Sequence, residues 1–472
     1  MADQNSVKVI EICRVAPQPQ AQQVPSHTDT QEFLHELTFF DLLWVRFRPS
    51  QRIFFYELPP SSHSTPLFFD SILPKLKASL SLTLQHFLPL AGNLTWPQSS
   101  HKPILNYVRG DTVSLTIAQY SNHHADYFNH LSSGSEFVEA REYHPFVPKL
   151  AISHEKAAAM AVQITHFPNR GFSIGTSMHH AVLDGKSSTL FFKSWAHLCK
   201  HGGFSASSSN QLPDQLKPFY GKMVINDRAG LEPIFLNQFL NSDRPNNRSL
   251  MCTIFRAPLP PDFVRGTFEF TSTKIEALRH LVIKKKQQQY QSLHLSTFSL
   301  TCAYAWVCLA KTEEIEGDKI VMIFSVDCRS RLDPPLPSNY FGNCLAGRAV
   351  VAERKGLLGE DGLVLAVNAI TEVIKGLDKG LLNGAENWIS TLYRDMQSTD
   401  VRVLTIVGSN RFQLYDTDFG WGRPKRTEVA SIDKSGPISL SDSKNGGGGV
   451  EIGLVLKKQY MDAFAALLAK DL

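Results

Sequence analysis

The chain has 472 residues, which is too long for one ordinary hydrophobic core. Of these residues 43% are hydrophobic and 19% are charged, a composition that excludes a disordered protein. Its net charge of +4 comes from 48 basic and 44 acidic residues that are well mixed. No basic stripe with interleaved aromatic residues is present, so we expect no nucleic-acid partner. Two globular domains of about 200 residues each are the natural expectation.

Cysteine use and the N-terminal sequence predict a cytosolic protein. The seven cysteines are scattered, form no CxxC pair and include several within apolar runs, where a thiol packs as a small hydrophobe. The N-terminal sequence MADQNSVKVIEIC lacks the charged-then-apolar layout of a secretion signal, and no window approaches 18 uninterrupted apolar residues. We therefore expect a reducing compartment, no membrane partner and no metal site.

The first part of the chain mixes strands and helices in an irregular order. Predicted strands lie at residues 7–15, 53–58, 105–108 and 113–117. Apolar residues at helical spacing predict helices at 69–87 and 187–200. Before the second helix, residues 160–167 and 172–178 predict a hairpin around Pro168–Gly171.

A change in composition at residues 202–218, GGFSASSSNQLPDQLKP, predicts a linker that extends to about residue 250 and includes a short helix at 233–240. Beyond it the mixture restarts. Predicted strands lie at 264–270, 319–326, 401–407, 438–443 and 450–456. Predicted helices lie at 272–284, 296–312, 363–375, 385–396 and 459–470, with Ser272 as the expected N-cap of the first. The organisation predicted is two mixed α/β domains, residues 1–201 and 251–472, joined by a linker at 202–250.

The hairpin ends in the sequence HHAVLDG, which places His179, His180, Asp184 and Gly185 in a tight turn after a buried strand. A histidine at a strand end can act as an oriented general base, because an unperturbed imidazole is largely neutral at cytosolic pH. An HxxxD match also arises by chance, and a histidine at a strand end is often only structural. Taken alone, the motif leaves both interpretations open.

Five segments in order along the chain resemble motifs of the plant BAHD acyl-CoA-dependent acyltransferases. They are TFFD at 38–41, LPLAGN at 88–93, HHAVLDG at 179–185, DCRSRLDPPLPSNYFGNC at 327–344 and DFGWG at 418–422. The resemblance covers essentially the whole chain. It implies an α/β fold of two similar mixed-sheet domains, of the chloramphenicol-acetyltransferase-like type, joined by a long crossover loop.

The YFGNC sequence and Gly408-Ser409 are most similar to the branch of the family that acylates flavonoid and other phenolic glycosides. Shikimate and quinate esterifying members tend to have Thr and Trp where this chain has Val407 and Ser409. The resemblance implies transfer of an acyl group from CoA to a hydroxyl without a covalent acyl-enzyme. It also implies acyl-CoA as cosubstrate, a phenolic glycoside as acceptor, no permanently bound cofactor and a monomer.

His180, the first residue of HxxxD, is the general base that the resemblance implies, while His179 should point the other way at the strand end. Asp184 could polarise His180 as in a catalytic triad, but the resemblance favours a structural pair with Arg329. Gly185 completes the motif. In DFGWG, Asp418 is either a second functional residue or a structural one. Its neighbours Gly420, Trp421 and Gly422 should shape the turn.

Phosphates of CoA should meet backbone donors at Ser296 and Thr297, which open a predicted helix, and Lys284 could reach the 3′-phosphate unless it is simply solvated. Lys193 lies where family malonyltransferases tend to carry an arginine, and it would keep the positive charge that a malonyl carboxylate needs. The sequence favours malonyl-CoA as donor, with coumaroyl-CoA or caffeoyl-CoA as the alternative. A non-catalytic acyl-CoA-binding relative is the third hypothesis.

Overall fold

The computed structural model describes residues 6–18, 32–121, 127–134, 136–202, 211–221, 225–242, 244–252, 262–286, 295–313, 317–391, 401–434 and 437–470. Strands in chain order are β1 (Val7–Val15), β2 (Glu32–Glu36), β3 (Ser50–Glu57), β4 (Asn93–Thr95), β5 (Ile104–Val108), β6 (Val113–Tyr120), β7 (Val138–Glu139), β8 (Lys156–Ala158), β9 (Met160–Phe167), β10 (Gly171–Met178), β11 (Phe263–Phe270), β12 (Lys319–Asp327), β13 (Leu345–Glu353), β14 (Val401–Gly408), β15 (Arg426–Val429), β16 (Ile438–Asp442) and β17 (Val450–Lys457).

The helices alternate irregularly with these strands. They are α1 (Phe39–Leu42), α2 (Thr65–Leu67), α3 (Leu73–Leu84), α4 (Tyr127–Ser133), α5 (Gly185–His201), α6 (Leu231–Leu240), α7 (Ser272–Lys286), α8 (Thr297–Thr312), α9 (Arg354–Leu358), α10 (Gly362–Gly376) and α11 (Lys458–Ala469). A π-helical turn at Phe68–Ile72 connects α2 to α3.

Two large mixed sheets form the fold. The first has the strand order β1-β6-β9-β10-β3-β15, and the second has the order β13-β12-β14-β16-β17-β11-β7. A smaller sheet, β2-β5-β4-β8, lies beside the first. Each large sheet contains parallel and antiparallel pairs, such as β6 with β9 and β10 with β9. The chain thus has the two-domain α/β architecture that its sequence predicts.

Each large sheet also receives one strand from the other part of the chain. β15 follows most of the second sheet in sequence, yet it pairs with β3, with Arg426 opposite Phe55. In return, β7 comes from the first part and pairs with β11, with Val138 opposite Arg265. The predicted division at residues 202–250 therefore separates the sequence more cleanly than it separates the sheets.

Buried charges accompany this exchange. Glu428 on β15 pairs with Arg265 of β11 at 3.3 Å and with Arg426 at 2.6 Å, and all three side chains are almost fully buried. Burial alone would raise the pKa of Glu428, but the two arginines lower it below its ordinary value, so the side chain is a carboxylate. A buried charge without a partner costs folding free energy. The pairing of Glu428 with Arg265 therefore stabilises β15 where it packs on the second sheet.

The predicted linker is attached to the first domain through Arg46. Its fully buried guanidinium donates hydrogen bonds to the carbonyls of Phe239, Asn247 and Ser249, at 2.9, 2.6 and 2.8 Å. The predicted short helix in the linker is α6, which begins two residues earlier than the sequence indicated.

Most predicted elements are present, with boundaries shifted by a few residues, and the hairpin is β9 and β10. The predicted cap Ser272 is wrong, because the Thr271 hydroxyl accepts the hydrogen bond from the backbone N–H of Lys274. Six strands were missed, most of them short: β2, β4, β7, β8, β13 and β15. The predicted helix at 385–396 is helical where it is described, and residues 392–400 lie outside the described part.

All seven cysteines are free thiols. Within the part of the chain that the structure describes, no helix is long and apolar enough to cross a membrane. The same residues contain no group of three or more His, Cys, Asp or Glu side chains that could hold a metal ion.

Candidate active site

The HxxxD turn connects the buried strand β10 to the helix α5. The backbone N–H of His179 donates to Ala159 at 2.9 Å, and the carbonyl of His179 accepts from Val182 at 3.0 Å. Asp184 is the N-cap of α5, and its Oδ1 accepts from the backbone N–H of Ser187 at 2.9 Å. An aspartate is favoured there because it satisfies a free N–H group and complements the helix dipole.

The other oxygen of Asp184 pairs with Arg329. Oδ2 lies 2.8 Å from Nη1 of Arg329, both side chains are almost fully buried, and Oδ2 also accepts from the backbone N–H of Cys344 at 3.2 Å. Burial would lower the pKa of Arg329, but Asp184 and Asp327 raise it above its ordinary value. The carboxylate of Asp184 is therefore fully engaged away from His180, as the sequence resemblance favoured.

Arg329 also connects the segment of residues 327–344 to the start of α5. Its Nη2 donates to the Ser187 hydroxyl at 3.1 Å and to the carbonyls of Tyr340 and Gly342, at 3.2 and 3.1 Å. The planar guanidinium suits this arrangement because it offers several donors in fixed directions. A partly exposed carboxylate, Asp327, lies 2.9 Å from Nη1.

Asp41 and Asn343 hold the backbone of His180 from the other side. Asp41, which is fully buried, accepts from the backbone N–H of Thr38 through Oδ2, and its Oδ1 accepts from the N–H and Nδ2 of Asn343, at 2.8 and 3.0 Å. Nδ2 of Asn343 also donates to the carbonyl of His180 at 2.9 Å. The TFFD and YFGNC segments therefore meet at the HxxxD turn.

The imidazole of His180 lies in an aromatic setting. It stacks on the indole of Trp44 with 4.0 Å between ring centroids and 13° between planes, and Phe47 approaches at 6.4 Å. Its Nδ1 is fully enclosed and has no well-aligned hydrogen-bond partner among the residues that the structure describes. Burial lowers the pKa of His180 below its ordinary value, although its own backbone carbonyl, Asp184 and the Asn343 side chain oppose the shift. The ring is therefore neutral at neutral pH.

His179 faces a different environment. Its side chain is buried, and its Nδ1 accepts a hydrogen bond from the backbone N–H of Ala181 at 3.3 Å. Burial and the neighbouring His180 lower the pKa of His179 to about 4. An enclosed imidazole that accepts a backbone hydrogen bond has a structural part in the turn.

DFGWG lies at the opposite end of α5. Asp418 pairs with Lys200 at 2.7 Å and accepts from the backbone N–H groups of Gly420 and Gly422, at 2.7 and 3.0 Å. Partial burial would raise the pKa of Asp418, but these donors lower it. Lys200 lies sixteen residues after Asp184 on one helix, which corresponds to about 24 Å. This separation and the local pairing of Asp418 favour the structural one of its two predicted roles.

The glycines of DFGWG make its turn possible. Gly420 and Gly422 have φ of +107° and +98°, conformations that side chains rarely adopt. Phe419 is buried edge-on against Trp195, with 5.0 Å between centroids, and the Trp421 ring lies under the ammonium of Lys75 at 5.3 Å. The motif thus closes the C-terminal end of α5 against the first sheet.

Two cations lie near the HxxxD turn in the fold, one on α5 and one on β3, the strand that pairs with β10. Lys193, on α5, is half-buried and donates one long hydrogen bond of 3.5 Å to Gln413. Burial lowers the pKa of Lys193, while Asp416 and Asp442 oppose the shift. Arg52 lies on β3 opposite Thr176 of β10. Burial lowers the pKa of Arg52 to about 10, although the charge of Asp442 opposes this shift too. Arg52 carried no signal in the sequence.

The remaining predicted residues are occupied locally or exposed. The Ser296 hydroxyl caps α8 by accepting from the backbone N–H of Ser299 at 3.0 Å, and Thr297 is the first residue of that helix. Lys284 is exposed on α7. Gly185 leaves room for the ring of Phe412, which would lie 2.8 Å from a Cβ at that position. The CoA contacts of Ser296, Thr297 and Lys284 stay predictions.

Known proteins resemble this chain along nearly its whole length. The sequence profile of the Transferase family matches residues 23–468. Phenolic glucoside malonyltransferase 1 of Arabidopsis thaliana is 38% identical, with 99% of this chain and 98% of that protein covered. Agmatine coumaroyltransferase of the same plant is also 38% identical, covering 98% and 99%.

The chain belongs to the BAHD acyltransferase family. The crystal structure of vinorine synthase shares the fold, with a TM-score of 0.65 and 21% identity over 98% of both chains. The protein is thus an acyl-CoA-dependent acyltransferase, and the BAHD motifs TFFD, HxxxD, DCR and YFGNC gather at one site in it.

Two residues at this site carried no signal in the single sequence. Trp44 follows TFFD by three residues, but nothing in its spacing indicates an indole against His180. Asn343 was noticed only as part of YFGNC. Both contacts join segments that are far apart along the chain, so local pattern could not predict them.

Asp184→Asn should damage folding at least as much as turnover. The substitution leaves the buried charge of Arg329 without its main partner, and breaking such a pair costs about 3–5 kcal/mol. The measurements are soluble yield, the midpoint of thermal unfolding and kcat on the same preparation. The matched control is Asp327→Asn, which removes the partly exposed partner of Arg329 and should cost no more than about 1 kcal/mol. A well-folded but inactive Asp184→Asn enzyme would contradict a structural role.

Proposed function

We propose that this protein transfers a malonyl group from malonyl-CoA to a sugar hydroxyl of a phenolic or flavonoid glucoside, with His180 as general base. The observation that carries the proposal is the state of His180: a neutral imidazole on a turn whose backbone is held by Asn343 and Asp184. A base of this kind must be unprotonated and fixed in place before the acceptor arrives.

The reaction needs one proton acceptor and one proton donor in sequence. Because Nδ1 of His180 is enclosed, Nε2 takes the proton of the acceptor hydroxyl while that oxygen attacks the thioester carbonyl. Nε2 then returns the proton to the sulfur of CoA as the carbon–sulfur bond breaks. The acyl group passes directly to the acceptor oxygen, and no covalent acyl-enzyme forms.

The choice of malonyl-CoA as acyl donor depends on a separate observation, the position of Lys193. A malonyl group ends in a carboxylate, and Lys193 is a half-buried cation with no ion pair among the described residues, on the helix that follows the HxxxD turn. It lies nine residues after Asp184, about 13 Å along α5, and its side chain extends further. The malonyltransferase relative supports this donor.

A second candidate keeps the enzyme class and changes the donor to a hydroxycinnamoyl-CoA. The observation in its favour is the agmatine coumaroyltransferase, whose identity to this chain equals that of the malonyltransferase. That relative is named for an amine acceptor, so the alternative extends to acceptors other than sugar hydroxyls.

Activity should depend on the neutral form of His180. His180→Ala should lower kcat/KM by about 10²–10⁴-fold, the usual contribution of a general base. Because burial lowers the pKa of His180, the wild-type enzyme should stay active below pH ~6.5 and lose activity only as the ring is protonated at lower pH. The measurement is the pH profile of kcat/KM, and an acid limb centred at or above ~6.5 would contradict the assignment.

A donor-by-acceptor matrix tests the reaction itself. Purified protein is incubated with malonyl-CoA, coumaroyl-CoA or caffeoyl-CoA and with phenolic glucosides, flavonoid glucosides or agmatine, and products are read by mass spectrometry. We expect malonylated glucosides with the largest kcat/KM. Coumaroylated agmatine as the main product would replace the proposal by the second candidate, and no CoA release from any pair would reject both.

Lys193→Ala should discriminate between the two donors. Removing the cation should raise KM for malonyl-CoA about tenfold or more, and should leave KM for coumaroyl-CoA nearly unchanged, because only the first ligand carries a carboxylate there. The matched control is Lys458→Ala, which removes an exposed lysine from α11. Equal effects of Lys193→Ala on both donors would show that Lys193 does not contact a donor carboxylate.

A further inference from the structure

His180 must become an imidazolium when it accepts a proton, yet the described residues place no carboxylate on its ring. Asp184 is occupied by Arg329 and by the backbone N–H groups of Ser187 and Cys344. Within the described part of the chain, Nδ1 of His180 has no well-aligned hydrogen-bond partner. In a Ser-His-Asp triad the aspartate orients the ring and stabilises its positive charge. At His180 the charged form is favoured by its own backbone carbonyl, by the charge of Asp184 and by the side chain of Asn343. None of these is a carboxylate bound to the ring, so a further group can add to both effects.

Trp44 covers one face of the His180 ring. The centroids are 4.0 Å apart and the planes differ by 13°, so the imidazole lies flat over the indole. Phe47 meets the indole edge-on at 4.8 Å, which supports Trp44 in this position. A face-to-face stack restricts rotation of the imidazole about its side-chain bonds.

The two rings are held by one hydrogen-bond network. The backbone N–H of Trp44 donates to the carbonyl of Asp41 at 3.1 Å, and the side chain of Asp41 binds Asn343, which also binds the carbonyl of His180. The positions of the indole and of the imidazole are therefore set relative to each other by the same buried carboxylate and amide. The stack of the two rings is therefore fixed by the hydrogen bonds of the site.

The face of the indole carries negative charge density, so it attracts an imidazolium more strongly than it attracts a neutral imidazole. The attraction therefore grows as the proton moves to His180, and it lowers the barrier more than it stabilises the resting enzyme. The other charges that reach the ring are few: Asp184 favours the imidazolium, and His179 couples to it. The charge of Asp184 is largely balanced by Arg329 at 2.8 Å.

We propose that Trp44 is a positioning residue for the general base: its indole orients the His180 ring and stabilises the imidazolium that forms during acyl transfer, in place of a triad carboxylate. The inference rests on the proposed role of His180. It assigns to Trp44, three residues after the TFFD segment, a part in the reaction that is separate from packing.

The test varies the charge distribution of the indole and keeps its shape. Mono-, di- and trifluorotryptophan are introduced at position 44 by amber suppression in the full-length protein, because each fluorine weakens the negative face. We expect kcat to fall stepwise, by about 2- to 30-fold over the series, with an unchanged KM for acyl-CoA and an unchanged unfolding midpoint. A flat kcat across the series would overturn the electrostatic role.

Three variants complete the experiment. Trp44→Leu, which removes the aromatic face, should lower kcat further than trifluorotryptophan, and Trp44→Phe should recover part of the loss. Trp388→Leu, which removes a half-buried indole in contact with Arg348, is the control for general loss of an aromatic side chain. Wild-type kcat in Trp44→Leu, with His180→Ala inactive, would overturn the inference alone. An active His180→Ala enzyme would overturn the proposed base as well.

Discussion

Asp184 and Arg329 remove two opposite charges from water, and each charge is tolerated only because the other lies 2.8 Å away. The pair does more than cancel charge, because each partner has further hydrogen bonds to satisfy. Asp184 caps α5 and binds the backbone of Cys344, while Arg329 binds carbonyls of Tyr340 and Gly342. The turn that carries His180 is thereby attached to a segment some 150 residues away.

This arrangement separates two tasks that a catalytic triad combines. One carboxylate holds the turn and is bound to Arg329, not to the ring of His180, whose pKa burial lowers. The aromatic environment of Trp44 and Phe47 then surrounds the ring without supplying a competing proton acceptor. If His180 is the general base proposed above, its lowered pKa keeps it available under mildly acidic conditions.

The sequence predicted what depends on local pattern. The hairpin β9 and β10 follows from apolar runs around Pro168–Gly171, and the resemblance of HHAVLDG to a family motif led to His180 and the Asp184–Arg329 pair. Strand β15 was missed because its four residues, RTEV, are short and charged, and they form a strand only when β3 and the buried arginines receive them. Trp44 was missed for the same reason, since its partner lies 136 positions further along the chain. The role of Asp418 stayed open in the sequence, because a motif does not reveal at which end of a helix it lies.

The exchange of β15 has a consequence for how the protein is made. On the ribosome, β3 is complete before residue 60, but the strand that covers its outer edge is translated about 370 residues later, which at 5–20 residues per second takes on the order of 20–70 s. During that interval the edge of β3 exposes unpaired backbone N–H and C=O groups, the kind of edge at which nascent chains aggregate. We therefore expect this enzyme to need protection by chaperones during synthesis, and fragments that end before residue 426 to be insoluble.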